Sequence, residues 1–447
     1  MRPPSTTLTS LELRNFRRFS DVEVQLEPDL TVLVAENGGG KTALLDGAAT
    51  AIRCLADELQ GKAGRGLEST DVKLVRAPTG GMVPMVPTMF TCRATVEGTE
   101  THWRHERVSV HKKSSASLDS MKRAAKRLLD GLQASAVGGT SAPPDLPVLA
   151  YFGTGRLWSE PRETKGKKSA AKDQTLQTNA YMGAMSASSS CVQFTQWFES
   201  IIREAQNESV TEIRSPHRPV LARDAVRRAV DIVLRPSQWH SLDWDFVDQQ
   251  VVASHPVHGR LSVGQLSDGI RNLIAMVANL AHRAVRLNPH LRERACELSP
   301  GIVLIDEVDM HLHPAWQQVI VALLREAFPR LQFIMTTHSP LVISTVPRRS
   351  IRILTTEGTV CTPLSETEGF DGMFALQTVF GVDSAPPGPF AEKLLGYRRL
   401  IEDNEGDGAK AIQLRNELMD HFGAQHPAIV ATTSLKRLQD FKKGRKT

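Results

Sequence analysis

No apolar run in this 447-residue chain approaches the roughly 20 residues that a membrane-crossing helix needs; the longest useful ones are 273–281 and 302–305. A membrane span is therefore not expected. The opening residues, Met-Arg-Pro-Pro-Ser-Thr-Thr-Leu, lack the apolar core and small-residue cleavage site of a secretory signal, so a cytoplasmic location is expected. Cysteine is sparse: Cys54, Cys92, Cys191, Cys296 and Cys361 are an odd, scattered set with no C-x-x-C pair. That pattern speaks against a disulfide framework and against a zinc site, and reads as reduced, structural thiols. Also missing are an internal repeat at a period of about 20–50 residues and a sustained heptad, which excludes a long coiled-coil arm. An excess of one charge is nearly absent too. A formal net charge of +5 and a pI near 9.0 on a chain this size allow phosphate-rich partners without implying them. Much of the basic character sits in 111–126 and 162–172, where a solvated stretch explains the charge at least as well as a binding surface.

What remains is an ordinary globular composition, 41% hydrophobic and 23% charged. The length suggests two to four structural units at roughly 100–200 residues each. Residues 11–26 alternate as a β-hairpin, with Leu11, Leu13, Val22, Val24 and Leu26 on the apolar side. Residues 30–34 are apolar on both faces, as a strand in the middle of a sheet must be. The next 18 or so residues place Leu44, Leu45, Ala48, Ala51, Ile52 and Leu55 at helical spacing. Short strands around 72–75, 89–96 and 102–110 and a basic helix near 118–132 follow. Residues 134–144 and 161–177, rich in Ala, Ser, Gly, Pro and Lys, read as mobile loops. Strand character returns at 146–152, helices dominate 192–234, and 244–253 is again stranded.

The chemistry begins where the buried strand ends. Ala35-Glu36-Asn37-Gly38-Gly39-Gly40-Lys41-Thr42 joins that strand to a helix, the setting of a phosphate-binding loop. Glycines let backbone N–H groups turn around the phosphates, and the helix N-terminus adds a favourable dipole. Asn37 to Gly40, Lys41, Thr42 and Ala43 are the nucleotide-binding candidates. Lys41 should reach the β- and γ-phosphates of ATP, and Thr42 should offer its hydroxyl to Mg2+. Ala35 stands where the usual formula has glycine, a change of one methyl group.

Residues 302–305 form a second buried strand that delivers Asp306 and Glu307 at its C-terminal end, where ligands bind in α/β sheets. Asp306 is the expected second metal-holding residue, and Glu307 the residue that orients or deprotonates the attacking water. A third strand, 331–335, leads to His338, whose imidazole can hydrogen-bond the γ-phosphate or the water. His311 and His313 lie two apart and allow a metal reading, but no third ligand is evident, and an interface loop is preferred. Ser267-Asp268-Gly269 opens a helix and forms a second candidate anion site, with Ser267 as its N-cap. One chain already cradles phosphate with Lys41, so this second site makes most sense facing the nucleotide of another subunit. Leu261-Ser-Val-Gly-Gln265 resembles a transporter signature more closely, but the Asp268-Gly269 that follows makes a poor helix interior.

On these residues the chain resembles the ABC-type ATPases of the recombination and chromosome-maintenance branch (RecF/SMC-like), in the order phosphate loop, signature, acids, histidine. Asp306-Glu-Val-Asp-Met-His-Leu-His-Pro314 aligns with the family's acidic strand and D-loop, with His313 where an aspartate usually stands. Arg14-Asn-Phe-Arg-Arg18 resembles its N-terminal strand motif, which implies that Arg17 and Arg18 lie near the nucleotide. The usual Q-loop glutamine is not identifiable, and Gly153-Thr-Gly-Arg156 falls in that region. Tyr151-Phe-Gly-Thr-Gly-Arg-Leu-Trp158 and Asn288-Pro-His-Leu291 are similar to a bacterial group of ATP-binding proteins related to the ATPase subunit of Septu-type antiphage systems, some linked to retrons.

The resemblance implies an α/β fold: a P-loop NTPase head with a mixed central sheet, an N-terminal antiparallel β part, an inserted β/helical lobe and a helical C-terminal extension. It divides the chain into 1–60 (phosphate-loop half of the core), 61–147 (inserted lobe), 148–255 (strand and helices, with a mobile loop at 159–178), 256–383 (second half of the core) and 384–447 (helical extension). It further implies a homodimeric or higher assembly and a separately encoded nuclease, often of the HNH type, with DNA or a nucleic-acid cofactor as a further partner. A RecF-like repair ATPase and a slow-turnover ATP-dependent clamp remain as alternatives. A C-terminal metal nuclease lacks its spaced acids, since Asp403 to Gly408 is the nearest acidic cluster and Leu414 stands where a calcium loop needs glutamate. A transporter subunit is disfavoured by the long insert and the missing glutamine.

Overall fold

Most of the chain's described strands join one of two sheets. The computed structural model describes residues 4–62, 64, 66–78, 80–136, 142–155, 177–186, 192–208, 219–355, 357–382 and 388–444. Of the stretches expected to be mobile loops, 137–141 and 161–176 lie outside these residues, as does Arg156 of the segment placed near the Q-loop, whereas 134–136 are helical. Contacts divide the chain into two compact units, 1–380 and 381–447.

In the first unit, β1 (Thr7–Phe16) and β2 (Phe19–Gln25) form the expected hairpin, with Leu11 opposite Val24 and Leu13 opposite Val22. β3 (Leu30–Ala35) is buried along its whole length and ends at the glycine loop that opens α1 (Lys41–Leu59). A two-stranded ribbon follows, β4 (Lys73–Arg76) and β5 (Met82–Met85), whose paired strands meet no other strand among the described residues. β6 (Thr88–Val96), β7 (Thr99–Arg107) and β8 (Ser115–Ser117) extend the antiparallel sheet in the order β2-β1-β6-β7-β8, so the segment read as an insert shares a sheet with the first hairpin. α2 (Asp119–Ala136) packs on α1 and β7.

The central sheet gathers strands from distant parts of the chain. β9 (Val148–Phe152) precedes α3 (Val192–Glu208) and α4 (Pro219–Leu234), then a small antiparallel sheet of β10 (His240–Asp245), β11 (Gln250–His255) and β12 (Gly259–Ser262). α5 (Asp268–Leu287) and the short α6 (Ala295–Leu298) lead into β13 (Gly301–Ile305). α7 (Pro314–Gln317), α8 (Ile320–Ala327), β14 (Leu331–Thr336), α9 (Pro340–Ile343), β15 (Ile351–Leu354), β16 (Val360–Cys361) and α10 (Gly372–Thr378) complete the unit. The order is β16-β15-β3-β14-β13-β9, parallel except at the β16 edge. β3, β14, β13 and β9 are buried on both faces, which explains their largely apolar sequences.

Buried polar side chains hold this frame in register. Gln332 accepts from the Leu8 N–H at 2.7 Å and donates to the Leu8 and Glu27 carbonyls at 2.8 and 2.7 Å, tying the two sheets together. Asn288, at the end of α5, accepts from the Leu146 N–H at 2.7 Å and donates to the Leu146 carbonyl at 2.9 Å and the Ser299 hydroxyl at 2.8 Å. That buried tie gives the Asn288-Pro motif a structural task, joining α5 to the approach to β9. Gly301 admits no side chain: a Cβ there would lie 2.0 Å from the Val148 carbonyl oxygen. Gly301→Ala must push β9 from β13, and the expected loss is about 2–3 kcal/mol of unfolding free energy, the upper range for overpacking, read from the urea midpoint.

The second unit consists of α11 (Pro389–Glu402), α12 (Ala409–Phe422) and α13 (Pro427–Gly444), the helices expected at the C-terminal end. Its core is small: Tyr397, Ile401, Ala411, Leu418 and Ile429.

Candidate nucleotide site

In a parallel sheet the loops after adjacent strands converge, and here β3, β14 and β13 are neighbours. Their C-terminal ends carry, respectively, the glycine loop, His338, and Asp306 with Glu307. Residues some 300 positions apart meet because Leu33 pairs with Thr336, and Met335 with Ile305. A cavity of about 370 Å³ at this edge is lined by Asn37 through Ala43 together with Arg17, Arg18, Asp306, Glu307 and His338.

The loop's geometry depends on small residues at specific points. Gly38 and Gly40 hold φ of 73° and 96°, the left-handed region that glycine enters without strain. A Cβ on Gly39 would fall 2.5 Å from the Cβ of Ala35 and 2.7 Å from the Glu36 carbonyl oxygen. The loop thus accommodates the methyl group of Ala35 only because position 39 has none. Arg18 and Phe19 pack against Gly40, and the Arg18 guanidinium donates to the Gly38 carbonyl.

Lys41 is buried, and its ammonium donates to the Ala35 carbonyl at 2.8 Å and the Glu36 carbonyl at 3.4 Å. Burial lowers its pKa, with Asp306, Glu307 and Asp309 opposing that shift, and the net direction is down. Asp306 is fully enclosed: one carboxylate oxygen accepts from the Thr42 hydroxyl at 2.9 Å, the other from the Thr336 hydroxyl at 2.6 Å. Thr336 in turn accepts from the Glu307 N–H at 2.7 Å, so one hydroxyl sets both acids. Glu307 has φ 49°, left-handed backbone for a non-glycine residue, a conformation that costs on the order of 1 kcal/mol and tends to mark functional positions. His338 is exposed at the cavity wall, and Thr337 beside it donates to Asp309 at 2.5 Å.

The Thr42 hydroxyl and the Asp306 carboxylate are hard oxygen donors fixed side by side, a set that suits Mg2+ with water and phosphate in its other positions. No cluster of three or more His, Cys, Asp or Glu side chains able to hold a metal occurs among the described residues, and the His311/His313 pair gains no third ligand there. His313 instead caps α7, its ring nitrogen accepting from the Ala315 N–H at 3.3 Å. This is the role an aspartate performs at a helix start.

Three sequence-derived candidates lie elsewhere. Ser267, Asp268 and Gly269 do not line the cavity of their own chain. Ser267 occupies the N-cap position of α5, but its exposed side chain makes no capping hydrogen bond. Gly269 is pressed against the D-loop, since a Cβ would lie 2.5 Å from the His311 carbonyl oxygen. The transporter-like Ser262 and Gln265 form a reciprocal capping box around a single 3-10 turn.

Arg17 lines the cavity but is already engaged, bridging Asp46 and Asp71, with its N–H donating to the Asp71 carbonyl at 2.8 Å. Burial works against its charge, and the two carboxylates more than offset that, so its pKa is raised. Asp46 also accepts from the Tyr151 hydroxyl at 2.6 Å. Burial and then the Asp46 carboxylate push that phenol well above its usual value. Asp46, Asp71, Tyr151 and Thr336 were not among the site candidates. Asp46 left one signal, its place four residues after Thr42 on the same helix face.

Known proteins agree with this architecture. Residues 10–185 match a family described as "AAA domain", and residues 198–344 one described as "AAA domain, putative AbiEii toxin, Type IV TA system". The chain is 26% identical over 467 residues to the "Retron Vc95 probable ATPase" of Vibrio cholerae, covering 93% of this chain and 87% of that one. It is 37% identical over 175 residues to the "Retron Ec83 probable ATPase" of Escherichia coli, 38% of this chain and 31% of that one. It is 36% identical over 105 residues to the "Septu protein PtuA" of Bacillus mycoides, 22% of this chain and 14% of that one. By similarity the chain is an ATPase, and its order of phosphate loop, Ser267 helix start, acids and histidine resembles that of the ABC type. It resembles the retron probable ATPases over most of its length or part of it, and the Septu protein PtuA over a shorter stretch.

Proposed function

We propose that this chain is an ATP-hydrolysing gate: two copies close on ATP and Mg2+, and the closed pair controls a separately encoded nuclease of the HNH type, in response to DNA or a nucleic-acid cofactor. The observation that carries the reading is the division of anion-binding parts. One cavity gathers the phosphate loop, both acids and His338, while the helix start at Ser267 to Gly269 lies outside it with an uncommitted side chain. A second copy can bring that helix start to the γ-phosphate side of the first copy's cavity.

In this reading Lys41 and the N–H groups of 38–42 hold the phosphates, while Thr42 and Asp306 hold the metal. Bound Mg2+ supplies positive charge where negative charge develops on the transferred phosphoryl group. Glu307 accepts the proton of the attacking water, and His338 hydrogen-bonds the γ-phosphate or that water. Arg18 flanks the loop; Arg17, through Asp46 and Asp71, fixes α1 relative to the stem of the β4–β5 ribbon. No helix of the described residues is long and apolar enough to cross a membrane, in keeping with a cytoplasmic partner.

Light scattering tests the pairing. Glu307→Gln with Mg-ATP is expected to run as a dimer or a multiple of it. Adding Ser267→Arg should return it to monomer while each monomer still binds ATP. A dimer that forms equally well with Arg at position 267 would refute the shared site.

A further inference from the structure

One of the chain's two basic stretches lies among the described residues. Residues 111–127 hold six cationic side chains and one carboxylate, Asp119, a surplus of five that equals the formal net charge of +5. The rest of the chain sums to zero, the second basic stretch at 162–172 being offset by acidic residues elsewhere. Most of this segment is not loop: it builds β8 and the first half of α2, whose two faces oppose each other. Met121, Ala124, Ala125 and Leu128 are buried, and Lys122, Arg123, Lys126 and Arg127 are exposed on the other side. Lys112 and Lys113, also exposed, precede β8.

Four of the segment's six cations stand together on this one exposed helix face. Surface helices gain from opposite charges four residues apart, as Arg203 does with Glu199 on α3. On α2 two pairs at this spacing repel, Lys122 with Lys126 and Arg123 with Arg127, and two attract, Asp119 with Arg123 and Lys126 with Asp130. Arg127 has the carboxylate of Glu97 within electrostatic range, whereas Lys122, Arg123 and Lys126 have no ion pair among the described residues. A polyanion lying along the helix turns both repulsions into attractions.

We infer that the exposed face of α2 binds the phosphate backbone of a nucleic acid. This rests on the reading above and gives its nucleic-acid partner a place on the chain. Residues 108–127 contain no Phe, Tyr or Trp, so bases have nothing to stack on. Recognition is therefore of phosphates, independent of sequence and steeply dependent on salt.

The test is fluorescence anisotropy of a mixed-sequence DNA duplex with the full-length protein, without ATP, across a salt series. The variant Lys122→Gln/Arg123→Gln/Lys126→Gln/Arg127→Gln should bind at least tenfold more weakly, and its slope of log K against log salt should be shallower by about 3–4, the effect of losing four phosphate contacts. Its basal phosphate release should equal that of the wild type, because none of these residues lines the nucleotide cavity. Its thermal midpoint should stay close to that of the wild type, since two repulsions and two attractions are removed together. If the fourfold variant misfolds, Lys122→Gln and Lys126→Gln singly should each reduce the slope by about one. Unchanged affinity and slope in the variants, or a wild type that binds no duplex, would overturn the inference. Because binding is measured without ATP, that failure would leave the ATPase reading standing, and loss of phosphate release would leave this one standing.

Discussion

Glu307→Gln is expected to release phosphate roughly a hundred- to ten-thousandfold more slowly than the wild type under multiple turnover, the range that a positioned general base supplies. The amide keeps the shape and one hydrogen-bonding oxygen of the carboxylate, so ATP should still bind; it cannot take a proton from water. Glu307 sits at the cavity in a backbone conformation that most residues avoid, fixed through its N–H by Thr336. The same Thr336 hydroxyl holds Asp306, and Thr42 holds the other side of that carboxylate. The substitution therefore leaves the metal-holding oxygens in place and separates proton transfer from metal binding. Equal phosphate release by the two proteins would remove Glu307 from the reaction. A wild type that stops after one turnover would favour the ATP-dependent clamp over the gate.

The phosphate loop, acids and histidine were readable because each sits at the end of an apolar run, and a run apolar on both faces is the signature of a central parallel strand. Leu30 to Val34, Ile302 to Ile305 and Leu331 to Met335 carried that signal, and β3, β13 and β14 follow it. Other features depended on side chains meeting across the fold. Arg17 resembles a nucleotide contact by its place in a motif, but its partners Asp46 and Asp71 are 29 and 54 positions away. Nothing local in the sequence pairs them. The role of His313 was hidden for a different reason, since the family's aspartate and this imidazole can both accept from a helix-start N–H. Ser267 shows the reverse. Its N-cap position was legible from the helix that follows, but its side chain was free to leave the cap unmade.

Lys41→Met should separate the fold from the site. Burial is the largest influence on Lys41 and disfavours its charge, and Asp306, Glu307 and Asp309 only partly compensate, so its pKa in the folded protein lies below the ordinary 10.5. A lysine with a depressed folded-state pKa subtracts from stability at neutral pH, and that penalty lifts as pH rises through the folded value toward the unfolded one. Replacing it with an apolar side chain of similar length removes the penalty. The nucleotide-free variant should therefore unfold at a urea midpoint no lower than that of the wild type. Nucleotide should reveal the loss. With ATP at one hundred times its dissociation constant, the wild type gains about 2.7 kcal/mol of stability; a variant with a hundredfold weaker affinity gains about 0.4 kcal/mol at the same concentration. Denaturant unfolding with and without Mg-ATP measures both effects at once. A variant that unfolds early without nucleotide would make Lys41 a structural residue. A variant that keeps the full ATP-dependent gain would place the phosphates away from the loop.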